Sequence, residues 1–267
     1  MRVAALQFES SKDPARLRSE AEALVRQAAR EDVDLMVLPE ATQRPFGTSA
    51  TTLATKPEAV DGPFVEWLIE QASLSGAVVI AGMFEASAAG GLPFNTTVAV
   101  GPNGLLAVYR KIHLYDALGF EESRGLSAGP TTEENFCVVE VQGVPVGIMT
   151  CFDVRFPEMA RSLVMRGARV IALGAAWVPG PHKIEQWRAL LQARAIESTS
   201  FVIAAAQPGE RYCGHSAIIS PEGVVLAEAG GSSSGVLIED LSITSLDRVR
   251  EGMPVLAQRR LGLEWPR

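Results

Sequence analysis

The chain has 267 residues, 47% of them hydrophobic and 21% charged, a balance that suits a large buried core and excludes a disordered or membrane-embedded protein. Its 31 acidic residues against 24 basic ones leave a net charge of −7, which argues against a nucleic-acid footprint or a polybasic membrane anchor. Cys137, Cys151 and Cys213 offer neither a zinc-site spacing nor an even disulfide set, and no apolar run approaches the ~20 residues of a bilayer helix, so a reducing, cytoplasmic setting is expected.

Arg2 to Phe8 reads as the first strand, and its apolar character ends too soon for the hydrophobic region of a signal peptide. Leu17, Ala21, Leu24, Val25 and Ala28 recur at helical spacing and predict a helix that packs by one face. Asp34 to Pro39 is a short apolar run expected as an interior strand, and it ends on Glu40. A helix over about Phe64 to Ser73 and a strand over Ala77 to Phe84 continue the alternation, which places helices on a sheet. Asn95 to Val108 then reads as strand, Pro-x-Gly turn, strand, and runs on into Lys111.

Val144 to Met149 predicts a buried strand that delivers Cys151 into a polar turn. Pro157, with φ fixed near helical and no N–H to lose, suits the first position of the helix that follows. Cys151 therefore sits at a strand-to-helix elbow, where backbone N–H groups and the positive helix end favour a thiolate and an oxyanion. An inert core thiol is the competing reading, because free cysteine is among the most buried residue types.

Ala160 to Gly174 repeats the helix-strand unit that ends at Glu40, with Leu163 and Val164 on the helix and Val170 to Leu173 as the strand. Ile184, Trp187, Leu191 and Ala195 share one helical face, with Gln186, Arg188 and Arg194 off it, and Phe201 to Ala206 is a further buried strand. His215 to Ala227 echoes the earlier hairpin, so the chain reads as a pseudo-duplicated α/β sandwich. Gly230 to Gly235 lies between two strand-like runs and is read as a hairpin loop rather than a linker, so one domain spanning 1–267 is expected. After about Asp240 the pattern fades into a tail, Gln258 to Arg267, whose apolar and aromatic residues need a surface such as a second subunit.

Glu40, Lys111 and Cys151 each stand at the end of an apolar run. Strand ends gather at one edge of an open α/β sheet, and a carboxylate, an ammonium and a thiol gathered there form a coherent chemistry. The carboxylate takes the thiol proton, the sulfur attacks a carbonyl or nitrile carbon, and the ammonium stabilises the negative charge that develops. Singly, Glu40 reads as a solvated loop carboxylate and Lys111 as a surface lysine beside Arg110; their repeated placement favours the joint reading.

Leu38-Pro39-Glu40, Tyr109-Arg110-Lys111-Ile112-His113-Leu114 and Cys151-Phe152-Asp153-Val154-Arg155-Phe156-Pro157-Glu158 resemble, in that order, the three motif blocks of the nitrilase superfamily of carbon-nitrogen hydrolases. Asn95-Thr96, Ala193 to Glu197 and Gly214-His215-Ser216 resemble further recurrent segments, so the resemblance covers nearly the whole chain. It implies a four-layer α-β-β-α sandwich with pseudo-twofold symmetry, Glu40 as general base, Cys151 as nucleophile, and Lys111 with the backbone N–H of Phe152 as the oxyanion site. It implies no metal and no organic cofactor. A homodimer or higher homo-oligomer also follows from it, with the tail from about residue 241 contributing to the dimer.

Phe120-Glu121-Glu122-Ser123 resembles the segment carrying a second active-site glutamate; that role falls to Glu122, with Glu121 one residue away. Within the superfamily the chain is most similar to the omega-amidase and deaminated-glutathione amidase branch, which implies a small amide bearing a carboxylate as substrate. Arg155 is a candidate fork for that carboxylate or a structural partner of Glu158 or Asp153. Trp177 lies in Gly174 to Gly180, which lacks the Phe-Asn and Thr-Thr-Gly pattern of the branch, and reads either as a pocket wall or as a core aromatic. Three rivals stand beside this reading: a cysteine-histidine hydrolase drawing on His113, His182 or His215, a nitrilase or N-carbamoyl-amine hydrolase on the same triad, and an inactive binding subunit.

Overall fold

The computed structural model describes residues 1–49, 52, 54 and 56–262, so the end of the expected tail, Leu263 to Arg267, lies outside the described residues. The first half runs β1 (Arg2–Gln7), α1 (Pro14–Ala29), β2 (Leu35–Val37), α2 (Pro63–Ser75), β3 (Val78–Glu85), β4 (Phe94–Gly101) and β5 (Gly104–Arg110). The second runs β6 (Val138–Val141), β7 (Val144–Thr150), α3 (Pro157–Met165), β8 (Val170–Ala175), α4 (Lys183–Ser198), β9 (Phe201–Ala206), β10 (Ala217–Ile219), β11 (Val225–Glu228), β12 (Gly235–Asp240) and α5 (Ile243–Gly252).

The strands form two six-stranded sheets, ordered β12-β1-β2-β3-β4-β5 and β6-β7-β8-β9-β10-β11. Each sheet has the same succession: an antiparallel edge strand, three parallel strands, then an antiparallel pair. This is the pseudo-twofold repeat expected of a four-layer sandwich, with the two sheets inside and α1 to α4 outside.

Strand alternation separates the layers. Val3, Ala5, Leu35, Val37 and Ile80 point to the second sheet and join its core. Their neighbours Ala4, Leu6, Met36, Val79 and Ala81 point the other way, onto Leu17, Ala21 and Val25 of α1 and Phe64 and Leu68 of α2. Each fully buried leucine or isoleucine contributes ~1.5–3 kcal/mol, so a register slip of one residue would forfeit both interfaces at once. Asp13 caps α1 by accepting from the Ala15 N–H at 3.0 Å, and Gly76 ends α2 at φ 74°, where a side chain would be strained.

Three local readings are corrected. Gly230 to Gly235 is not a hairpin loop: it carries the chain from β11 in one sheet to β12 in the other. Gln7 Nε2 holds it by donating to Gly230 O at 2.7 Å and Ser233 O at 2.8 Å, and β12 then pairs with β1. The stretch after Asp240 does not fade but forms α5, capped by Ser242, with Leu246 as its one buried residue. Arg194 does not face away: it is 5% exposed, and its Nε donates to Val154 O at 2.7 Å, bracing the turn that follows β7. Among the described residues no helix is long and apolar enough to cross a membrane.

Candidate active site

The chain beyond β2 turns sharply, and the turn exists because two glycines let neighbouring strands close on it. A Cβ on Gly82 of β3 would stand 2.5 Å from Ala41 N and 2.8 Å from Glu40 Cα. A Cβ on Gly174 of β8 would stand 2.9 Å from both Glu40 N and Leu38 O. Gln207 Nε2 then donates to Glu40 O at 2.7 Å, so both sheets fix the Glu40 backbone. The carboxylate lies 1% exposed.

β5 runs directly into Lys111, whose own N–H donates to Asn95 O at 2.8 Å and whose side chain is 2% exposed. β7 ends at Thr150, and Cys151 opens a short 3-10 turn with φ 45°, a left-handed conformation that costs a non-glycine residue energy. Pro157 then takes the first position of α3. The elbow is held by a buried acid. Asp153 accepts from Thr150 N at 2.9 Å, Tyr109 Oη at 2.6 Å and His113 N at 3.3 Å, and His113 Nδ1 lies 2.7 Å from it.

These elements bring Glu40, Lys111 and Cys151 together with Glu122. Lys111 Nζ donates to Glu40 Oε1 at 2.9 Å and to Glu122 Oε2 at 2.9 Å. Asn95 Nδ2 donates to Oε1 of both carboxylates at 2.8 Å, and the Ala176 N–H donates to Glu40 Oε2 at 2.8 Å. Burial opposes a charge on Lys111, but Glu122, Glu40 and Cys151 outweigh it and hold its pKa well above the usual lysine value. Burial and then the negative charge of Glu40 push Cys151 well up against the opposing pull of Lys111. The resting sulfur is therefore protonated, with the Glu40 carboxylate on the same cavity.

The four groups open onto a cavity of about 620 Å³. Phe152 and Trp177 line it, with Tyr115, Phe120 and Lys183. Glu122 rather than Glu121 is the buried carboxylate, 6% exposed and also accepting from Tyr115 N at 2.6 Å, while Glu121 is exposed and pairs with Arg124 at the cavity rim. Trp177 fits both of its earlier readings: it walls the cavity, is 2% exposed, and packs 5.2 Å from Trp187. Arg155 is not on the cavity wall; its guanidinium lies 4.9 Å from the Trp177 ring and donates to Gln186 Oε1 at 2.7 Å. Its alternative partner Asp153 is taken up by Tyr109, His113 and Thr150 instead.

No histidine lines the cavity among the described residues. His113 stacks on Phe156 at 3.7 Å and His215 reaches Glu228 Oε1 at 3.0 Å, so the cysteine-histidine reading has no base beside the sulfur. Among the described residues no three His, Cys, Asp or Glu side chains are placed to share a metal ion. Sequence reasoning missed the Ala176 N–H, Gln207 and Lys183, which reach the site only through the way the two sheets stack.

The chain is 36% identical to the deaminated glutathione amidase of Escherichia coli O157:H7, over 89% of this chain and 88% of that one. It is 31% identical to omega-amidase NIT2 of Mus musculus, over 98% and 96%. A solved CN-hydrolase superfamily protein of Xanthomonas campestris superposes with a TM-score of 0.87 at 27% identity, covering 99% of each chain. Residues 2–251 match the carbon-nitrogen hydrolase family model, and with those relatives the match shows that this chain belongs to the carbon-nitrogen hydrolase family.

Proposed function

We propose that the protein hydrolyses a small amide that carries a carboxylate, through a thioester on Cys151, with release of ammonia. The observation that carries this reading is a buried carboxylate, ammonium and thiol on one cavity: Glu40 accepts from Lys111 Nζ at 2.9 Å, and Cys151 lines the same cavity beside them. Glu40 takes the thiol proton as the sulfur–carbon bond forms, so a free thiolate beside two carboxylates is never required. The carbonyl oxygen, becoming negative, is met by the Lys111 ammonium and the backbone N–H of Phe152.

The tetrahedral adduct collapses when Glu40 returns the proton to nitrogen, the C–N bond breaks and ammonia leaves. Water then attacks the thioester, again losing a proton to Glu40. The carbon–sulfur bond breaks, the sulfur recovers that proton, and the acid product departs. Glu122, paired with Lys111 and Asn95, keeps the ammonium charged and aimed. Neither a metal nor an organic cofactor enters this sequence.

The same reading makes residues 1–267 one hydrolase domain, places it in the cytoplasm, and has it work as a homodimer or larger homo-oligomer. In that assembly the chain from about residue 241 covers the partner; light scattering that finds only monomer contradicts the assembly alone. The chemistry is tested by ammonia release on omega-amides, deaminated glutathione, N-carbamoyl amines and nitriles. Release from carboxylate-bearing amides, lost in a folded Cys151→Ala variant, is the expected result. Ammonia from nitriles alone, or near-native turnover in Cys151→Ala, overturns it.

A further inference from the structure

Each cation on the cavity wall but one already has its acceptor. Lys111 is spent on Glu40 and Glu122, Arg124 pairs with Glu121 at 2.9 Å, and Arg211, on the open side, donates to Phe46 O at 2.9 Å. Lys183 is different. It is 3% exposed, and among the described residues neither a carboxylate nor a carbonyl oxygen accepts from its ammonium, which faces the cavity shared with Cys151.

The position of Lys183 is built rather than incidental. It is the first residue of α4, and its backbone is held at both ends: its N–H donates to Gly180 O at 3.2 Å and its carbonyl accepts from Trp177 Nε1 at 2.9 Å. The ammonium lies 4.1 Å from the Trp177 ring centroid and 5.2 Å from that of Tyr115. Ring faces attract a cation but supply no counter-charge. Burial, and then Arg155, pull the lysine's pKa below its ordinary value, as for a cation left without an anion. A buried cation whose protein partners are only π-faces is completed by an anion arriving from the cavity.

We propose that Lys183 binds the substrate's carboxylate, so that the acyl chain spans the cavity from Cys151 to the head of α4. Trp177 positions it from both sides, since its indole N–H fixes the Lys183 backbone and its ring carries the ammonium. Arg155, off the wall and against the same ring, adds to the positive field without touching the ligand. The segment that departs from the pattern of the omega-amidase branch, Gly174 to Gly180, thus leads directly into this lysine. The proposal rests on the amidase reading above and names the residue that sets its substrate class.

The test compares succinamate with butyramide, an amide of equal length lacking the charge, in wild type, Lys183→Met and Lys183→Arg. Lys183→Met keeps the buried stem, and circular dichroism confirms folding. The expected loss in kcat/KM for succinamate is roughly 10- to 100-fold, carried mainly by KM, with butyramide changed less than about twofold and Lys183→Arg retaining most of the preference. Equal losses on both amides, or no loss on either, overturn the proposal. Calorimetric binding of succinate to Cys151→Ala, with and without Lys183→Met, reads the same contact without turnover. Wild type inert toward every amide but binding succinate through Lys183 would defeat the amidase reading and keep this one; active wild type indifferent to Lys183→Met would do the reverse.

Discussion

The two halves of this molecule repeat each other strand for strand, yet they use their strand ends differently. The turn after β2 presents the Glu40 carboxylate; the matching turn after β8 presents only backbone, the Ala176 N–H that donates to that carboxylate at 2.8 Å. β7 leads into Cys151, whose sulfur faces a cavity. Its counterpart β1 ends at Gln7, whose Nε2 donates to Gly230 and Ser233 carbonyls and whose Oε1 accepts from Ser216 N at 2.9 Å and Oγ at 2.8 Å. β5 runs into Lys111, whereas β11 runs into Ala229, whose N–H is spent on Ser216 O. Duplicating a scaffold did not duplicate the chemistry. In one set of strand ends polar groups saturate one another; in the other they face a cavity.

The comparison breaks most visibly at Lys111. Lys111→Met removes the cation between two buried carboxylates and is expected to cost about 3–5 kcal/mol and to lower turnover by at least about 100-fold. Urea denaturation and ammonia release measure the two effects. In the saturated half, Gln7→Ala strands the buried Ser216 N–H and frees the Gly230 to Gly235 crossing, for about 1–3 kcal/mol, with kcat unchanged. A kcat loss as large as that of Lys111→Met would erase the distinction between the halves.

Glycines sharpen the contrast at smaller cost. Gly174→Ala drives a methyl against Glu40 N and Leu38 O, so stability falls by about 1–3 kcal/mol and turnover falls with it. Gly76→Ala, at φ 74° with nothing within 4 Å, costs about 1 kcal/mol through backbone strain alone and leaves turnover intact. The smallest effect is with pH. Because Cys151 lies above its ordinary 9.0 in the folded protein, its stabilising contribution is complete below pH 9 and declines as pH rises through the folded value. Lys111, raised above 10.5, adds a loss of the same sign at still higher pH. The ultraviolet thiolate signal of wild type minus Cys151→Ala should therefore emerge only above pH 9; a plateau at neutral pH would show a preformed thiolate.

Much of this was legible in the sequence because strand ends are. Apolar runs ending on Glu40, Lys111 and Cys151 located three groups that the sheets bring together, and the paired hairpins disclosed the repeat. What stayed hidden depends on which sheet a strand joins or on how the sheets stack. Gly230 to Gly235 looked like a hairpin loop because strands flank it, and nothing local says that they belong to different sheets. The α5 helix buries Leu246 alone and is short and polar, so Ile243, Leu246 and Val249 at helical spacing passed for part of a charged tail. Arg194 read as a polar residue off the apolar face of α4, and Lys183 stands one residue before the run in which that face was read; packing against the β7 elbow buries one, and the cavity wall buries the other. Arg155 was legible as a cation near the site but not as one that lies off the cavity wall, against the Trp177 ring.

The most direct test is to acid-quench the enzyme during turnover of succinamate and map the acyl mass by peptide mass spectrometry. A nucleophile at Cys151 predicts a succinyl mass on the peptide containing that residue. An acyl mass carried instead by Cys137, Cys213 or any other side chain while hydrolysis proceeds would contradict it.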